Sequence, residues 1–355
     1  MKATYSSKAI GLDSDSAKDH IMDFRLVLAE AAYRRIAPQL VEFESRLDLA
    51  ILGNDHALRD PRTGLARSAA AADIIWLSLD CYDTGQFQAL TKMALDAPQA
   101  PQWIQTCNAG LDNPIYRSLA ERGTRITKST AQSVAIAEYV VAHALSLILP
   151  IRKQRELQAQ RVWETTPFRE IGQTRWTLVG YGAIGQEITR RIKPFGVHLT
   201  VARRSRVADD LVDHVVGLAE LPEAIAQSDV VVLGCALNAE THNLAGEQFF
   251  AALKRGAILI NIGRGGLVDE DALRRGLDRD QPAHAVLDVF RAEPLPSDSW
   301  LWEHPKISVS AHTSNAGHGV LDRGDVLFTR NLSRFMSSRP LLNEASPAEV
   351  GFSPP

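Results

Sequence analysis

The chain has 355 residues, 45% of them hydrophobic and 23% charged, with a formal net charge of −3 at pH 7. That length suits two domains of ordinary size, and the near-neutral charge excludes the basic surface that a nucleic-acid or anionic-membrane binder needs, leaving small ligands. The three cysteines, Cys81, Cys107 and Cys235, form no CxxC pair, which argues against a disulfide framework or a zinc site and for a reducing compartment.

The first 20 residues are polar and lack the apolar stretch of a secretion signal; they read as a loose extension or a cover over a partner subunit. No run of about 18 apolar residues follows, so the expected location is the cytoplasm, with neither a membrane nor nucleic acid as partner. Short apolar runs then alternate with helical patterns. FRLVLA precedes AAYRRIAPQL, and LDLAIL, ADIIWLSL and APQWIQTC lead to PIYRSLAERG. This rhythm predicts a parallel sheet covered on both faces. The alanine-rich RSAAAAD reads as a helix end. A long helical pattern with few breakers, SVAIAEYVVAHALSLILPIRKQRELQAQRVW, crosses to a second series: WTLVG with AIGQEITRRIKPFG, then VHLTVA, DVVVLGC, AILINIG, HAVLDVF and KISVSAH. A last helical pattern, DVLFTRNLSRFMSS, returns the chain to the first domain. The fold class is α/β, with two doubly wound parallel-sheet domains.

GYGAIG follows the first strand of the second series and opens a helix, placing Gly180, Gly182 and Gly185 in GxGxxG spacing. The first glycine allows the tight turn, the second lets a pyrophosphate reach the backbone, and the third lets helix and strand pack. The helix N-terminus then receives the phosphates. A dinucleotide fold that prefers NAD places an acidic residue at the end of the next strand, for the ribose 2′-OH. Here VARRSR puts Arg203, Arg204, Ser205 and Arg206 there instead. A guanidinium pairs with a 2′-phosphate, so the expected cofactor is NADP(H), with NAD(H) at lower affinity. A solvated basic loop is the bland alternative.

Three later strands end in polar residues: Arg264 after AILINIG, Asp288 and then Glu293 after AVLDVF, and His312 in ISVSAHTSNAG. Ligands of open α/β sheets bind outside the carboxyl ends of the strands, where these side chains would meet. A histidine moves a proton near neutral pH, a carboxylate bonded to it fixes its tautomer, and an arginine grips a carboxylate in a fork and polarises a carbonyl. That set suits carbonyl reduction or alcohol oxidation.

GYGAIG, NIGRGGLVDEDAL, LDVFRAEPLP and SAHTSNAG, in this order, resemble the D-isomer-specific 2-hydroxyacid dehydrogenase family, and the likeness runs from about residue 70 to 343. It implies a Rossmann nucleotide-binding domain over 132–313 and a flavodoxin-like substrate-binding domain formed by 1–131 and 314–355. It also implies His312 as general acid/base, Glu293 as its orienting partner, Arg264 as substrate anchor and Asp288 as holder of the nicotinamide carboxamide. A cap on the following turn is the structural alternative for Asp288. The segment CNAGLDN resembles the family's substrate loop, with Asn108, Ala109 and Gly110 offering backbone amides to the carboxylate. Ala183, Ile184, Cys235, Leu237, Thr241 and Ile262 fall where the family lines its cofactor, although strand-end packing accounts equally for Cys235 and Leu237. The activity implied is reduction of a 2-oxo acid of the glyoxylate or hydroxypyruvate type by NADP(H), in a homodimer whose RVWETTPFREIG segment reaches the partner. Two departures stand out: Ala311 replaces the usual proline before the histidine, and Arg203 the common aspartate. A nucleotide-sensing corepressor or scaffold can share this fold, and Glu293 argues against the formate dehydrogenase branch.

Overall fold

The computed structural model describes residues 23–68, 72–205 and 209–350. The first sheet holds β1 (Phe24–Ala29), β2 (Leu47–Leu52), β3 (Leu58–Arg59), β4 (Ile74–Leu77), β5 (Trp103–Thr106) and β6 (Arg125–Thr127), in the order β3-β2-β1-β4-β5-β6. Every pairing is parallel except that of the short β3 with β2. Without β3 this is the flavodoxin-like order. The second sheet holds β7 (Arg175–Val179), β8 (His198–Ala202), β9 (His214–Val216), β10 (Val230–Leu233), β11 (Ile258–Asn261), β12 (His284–Leu287) and β13 (Ile307–Val309). Its order, β13-β12-β11-β10-β7-β8-β9, is that of a Rossmann sheet with one further strand at the edge.

Strands buried on both faces read as unbroken apolar runs, and IIWL of β4, VVVL of β10 and ILIN of β11 are buried at every position. The helices α1 (Glu30–Leu40), α2 (Asp80–Asp83), α3 (Gln86–Asp96) and α4 (Pro114–Glu121) accompany the first sheet. α4 starts where Asn113 accepts a hydrogen bond from the Ile115 amide, with Pro114 in the first turn. Next come α5 (Ser133–Ile148), α6 (Ile151–Gln160), α7 (Ala183–Ile192), α8 (Leu221–Ile225), α9 (Glu247–Ala252), α10 (Glu270–Asp278) and α11 (Gly319–Met336).

The long pattern between the two series is two helices, not one continuous run. α5 and α6 meet at 55° around Leu149 and Pro150, because a proline ring has no N–H to donate and crowds the preceding turn. No helix ends at Arg67 either: β3 leads into a turn in which buried Asp60 accepts from the Arg62 and Thr63 amides, and Arg59 bridges Ala66. Ala69, Ala70 and Ala71 lie outside the described residues.

Two helices tie the sheets together. Ile136, Ala137, Val140 and Ala144 of α5 share a core with Trp176, Leu199 and Ile188 of the second sheet and α7. Phe328, Leu332 and Met336 of α11 pack under the first sheet, where the Phe328 ring stacks on Trp76 at 4.3 Å and on Trp103 at 5.6 Å. Arg35 of α1 holds α11 and α2 together, bonding Asp325 at 2.7 Å and both oxygens of Asp80. Among the described residues no single helix is long and apolar enough to cross a membrane.

Candidate functional site

The second sheet reverses its winding between β7 and β10, and the glycine loop sits there. Gly180 has φ +101°, and a Cβ on it would stand 2.7 Å from the Cys235 amide nitrogen, so only glycine fits. Gly182 is the opposite case: a Cβ there meets nothing within 4 Å, which leaves open ground before the first turn of α7. Gly182, at the N-cap, has no side chain to cap that turn, so its amides and the helix dipole remain for an anion. These residues fit a dinucleotide pyrophosphate. Ala183 is partly buried beside them, and Ile184 and Ile262 belong to the core shared with α5.

Arg203 follows β8 directly, its amide donating to the Val216 carbonyl at 3.0 Å, and its guanidinium lies over the Tyr181 ring, 5.5 Å from the centroid. The Tyr181 hydroxyl in turn donates to Asp209 Oδ2 at 2.9 Å. Arg204 and Ser205 are exposed, and Arg206 is outside the described residues. Cys235 and Leu237 are half-buried against the core around Leu267. Burial pushes the Cys235 thiol up to about 11, so it stays protonated. Thr241 is buried and closes its own turn: its hydroxyl donates to the Ala236 carbonyl at 2.7 Å and accepts from the Asn238 amide at 2.8 Å.

His312 follows β13 with φ +48°, a conformation that a residue with a Cβ adopts only when its surroundings impose it. Asp288 does so. Its carbonyl accepts from the His312 amide at 2.8 Å. Its carboxylate, wholly buried, accepts from Ser310 Oγ at 2.5 Å, the Thr313 amide at 2.9 Å and the Ser314 amide at 3.1 Å. In this arrangement the Asp288 carboxylate caps the His312 loop; three of its bonds fall on Oδ1 and one, from the Ser314 amide, on Oδ2, which keeps a lone pair for the contact expected with the nicotinamide carboxamide. Tyr139 of α5 extends the chain of bonds through Ser310 at 2.6 Å.

His312 Nδ1 bonds Glu293 Oε2 at 2.8 Å, while Glu293 Oε1 accepts from the Phe290 amide at 2.9 Å. With the proton on Nδ1, as this bond requires, Nε2 is left to the crevice. The Glu293 bond raises the His312 pKa above its ordinary 6.5, against burial and the charge of Arg264. Burial is the largest single influence on Glu293 and opposes its ionisation, but the bonds from His312 and the Phe290 amide, with the charges of His312 and Arg264, together hold this carboxyl below its usual range.

Arg264, after β11, reaches across to the substrate loop. A Cβ on Gly110 would run into its Nη2, so the guanidinium lies over bare backbone there. Asn108 is pinned beside it: Nδ2 donates to the Tyr82 hydroxyl at 2.7 Å and the Tyr116 hydroxyl at 2.8 Å. Ala109 is exposed. The structure thus brings together Arg264 with Gly110 and His312 with Glu293, within electrostatic reach of each other.

Sequence reasoning missed Asp112, which pairs with Arg264 at 2.8 Å, along with Tyr181, Tyr139 and Ser310. Asp112 was in plain view in CNAGLDN, two residues past Gly110, and an acid at that spacing from a glycine under an arginine was a usable signal. Nothing in the sequence pairs Tyr139 with Ser310, 171 positions away.

Fold and glycine loop together define an oxidoreductase that binds a nicotinamide cofactor. Residues 141–314 match the family described as D-isomer specific 2-hydroxyacid dehydrogenase, NAD binding domain. The chain is 30% identical to the human glyoxylate reductase/hydroxypyruvate reductase over 265 residues, 71% of this chain and 80% of that one. It is 33% identical to D-3-phosphoglycerate dehydrogenase 2, chloroplastic, of Arabidopsis thaliana over 224 residues, 61% of this chain but only 36% of the plant protein's length. A crystal structure of a D-isomer specific 2-hydroxyacid dehydrogenase family protein from Aeromonas salmonicida superposes with a TM-score of 0.72 at 28% identity, covering 92% of this chain and 99% of that one. The chain belongs to the D-isomer specific 2-hydroxyacid dehydrogenase family.

Proposed function

We propose that the protein is an NADPH-dependent reductase of small 2-oxo acids of the glyoxylate or hydroxypyruvate type. The observation that carries this is the His312–Glu293 pair at 2.8 Å, facing an arginine that two loops hold in place. A nicotinamide held over the glycine loop would supply the hydride that the substrate's C2 accepts. His312, kept protonated by Glu293, gives its proton to the developing alkoxide oxygen. Arg264 and the amides around Gly110 hold the substrate carboxylate, and Arg264 polarises the carbonyl. Closure of the crevice excludes water.

Support for the NADPH preference comes from Arg203, which directly follows β8 where an NAD site needs a carboxylate, with Arg204 and Ser205 open to solvent beside it. Support for a homodimer comes from the segment after α6, where Val162, Trp163 and Phe168 are exposed, Trp163 completely. Sedimentation of wild type and Trp163→Ser tests this; a dimer that dissociates at lower dilution in the variant is expected. The activity test is oxidation of NADPH and of NADH, in parallel, with glyoxylate, hydroxypyruvate, pyruvate and phenylpyruvate. Turnover favouring NADPH and the smaller acids is the expected result. NADPH binding without turnover of any acid would instead favour a nucleotide-sensing corepressor.

A further inference from the structure

Arg264 stands beside the second sheet and Asp112 beside the first, 152 positions apart, yet Asp112 Oδ1 accepts from both Nε at 3.0 Å and Nη2 at 2.8 Å. Arg264 Nη1 donates to the Gly263 carbonyl at 2.8 Å. A guanidinium carries five N–H groups in one rigid plane. These three bonds therefore leave one N–H on each Nη for a ligand carboxylate. The close approach is prepared on both sides. A Cβ on Gly110 would lie 3.1 Å from Arg264 Cζ and 3.0 Å from Asp112 Oδ1. Opposite, wholly buried Asn261 donates to the Arg264 carbonyl at 3.0 Å and accepts from the Gly263 amide at 3.1 Å. Backbone and guanidinium of Arg264 are both fixed, and among the described residues Asp112 is the one whose side chain bonds the guanidinium from the opposite domain.

We infer that Asp112 is a positioning residue for the reaction: it sets the plane of the Arg264 fork so that the outer two N–H groups receive the substrate carboxylate, and it completes that fork only when the two domains meet. This rests on Arg264 being the substrate anchor, as proposed above. A bystander carboxylate would do the reverse, since a second negative charge on the same arginine repels the incoming anion. Asp112 also feels the charge of His312, whose other charged neighbours are Glu293, Arg264 and Asp288.

Asp112→Ala and Asp112→Asn are compared with wild type in three readouts: binding of oxamate, an unreactive 2-oxo acid analogue, with NADPH present; KM and kcat for glyoxylate; and the pH profile. In Asp112→Ala the oxamate Kd and the KM rise about 10- to 100-fold, the worth of a charge-assisted hydrogen bond, while kcat changes less. Asp112→Asn, which can still accept from the guanidinium, recovers part of the binding. In both variants the alkaline fall of kcat/KM begins at lower pH, because the imidazolium has lost a favourable neighbour. Unchanged or tighter oxamate binding in Asp112→Ala overturns the proposal, as does a parallel fall of kcat and stability with no recovery in Asp112→Asn. If the alanine variant does not fold, Asp112→Asn against wild type decides by the same signs. A wild type that binds oxamate but reduces no 2-oxo acid sinks the reductase reading alone, and the binding comparison still judges Asp112. A wild type that binds no oxamate sinks both.

Discussion

The two loops that meet at the crevice are built in opposite ways. GYGAIG is a backbone device: Gly180 is required by the Cys235 backbone, Gly182 leaves open ground, and the amides beside it would make the phosphate site. The loop from Thr106 to Asp112 is a side-chain device: Asn108 is held by two tyrosines and by its own amide on Thr106 Oγ1 at 3.1 Å, and Asp112 spans the domains. A backbone site tolerates change around it but not at its glycines. A side-chain site loses function one bond at a time, and that difference can be measured.

The largest break is expected at His312, the proposed proton donor, which belongs to neither loop. His312→Asn lowers kcat/KM about 10²- to 10⁴-fold, the usual worth of a general acid, while NADPH affinity, measured by fluorescence titration, stays at the wild-type value. Comparable in energy but opposite in character is Phe328→Ala. The ring is wholly buried between two tryptophans, and its loss costs about 3–5 kcal/mol in denaturant unfolding. It loosens the substrate domain and leaves the glycine loop intact, so NADPH binding below the unfolding transition is retained. Arg203→Asp tests the cofactor side: the kcat/KM for NADPH falls about 10- to 100-fold and that for NADH does not, since the loss is that of hydrogen bonds between charged groups.

The glycine loop was legible in the sequence because its constraints are local. A turn, an open approach and a close packing each demand glycine within six residues, and the apolar runs beside it gave β7, β8 and β10 almost to the residue. The placing of Arg264, Glu293 and His312 near one another was legible for a related reason: each follows a strand of a parallel sheet, and all such ends lie on one edge. Asp112, Tyr181 and the bonds from Tyr139 to Asp288 were not, because each matters only through a partner that folding supplies. Asp288 shows the limit most clearly. Its position at a strand end suited a cofactor contact, and only the structure reveals the bonds that its carboxylate also takes from Ser310, Thr313 and Ser314. β3, β6 and β9, of two or three residues each, are too short to show a pattern.

The proton site also has a signature in pH. His312 has a raised pKa, so its bond to Glu293 is fully present below the ordinary histidine value and is lost as pH rises through the raised one. Glu293 has a lowered pKa, so its share is lost only as pH falls through that lower value. Between the two the pair is an ion pair with the proton on His312. Reduction needs that proton, and kcat/KM for the 2-oxo acid therefore falls on the alkaline side, at a pH above 6.5. Glu293→Gln removes the first cause of the shift, and the alkaline fall moves to lower pH; a profile that stays in place would show that another group titrates.

The smallest expected effect is the one that sharpens the contrast between the loops. Tyr181 is a side-chain element inside the backbone device: its ring lies beneath Arg203, and its hydroxyl engages Asp209 Oδ2. Asp209 follows the arginines in the chain, and Oδ1 is already used by the Leu211 amide at 2.9 Å. Tyr181→Phe keeps the ring under the guanidinium and releases Oδ2, an acceptor that competes with a 2′-phosphate for Arg203. NADPH affinity then falls about 2- to 10-fold, the range of one ordinary hydrogen bond, and NADH affinity holds. Equal change in both affinities would mean that the hydroxyl only braces the glycine loop. A selective loss would mean that cofactor choice is written in the second residue of the glycine motif as well as at the end of β8.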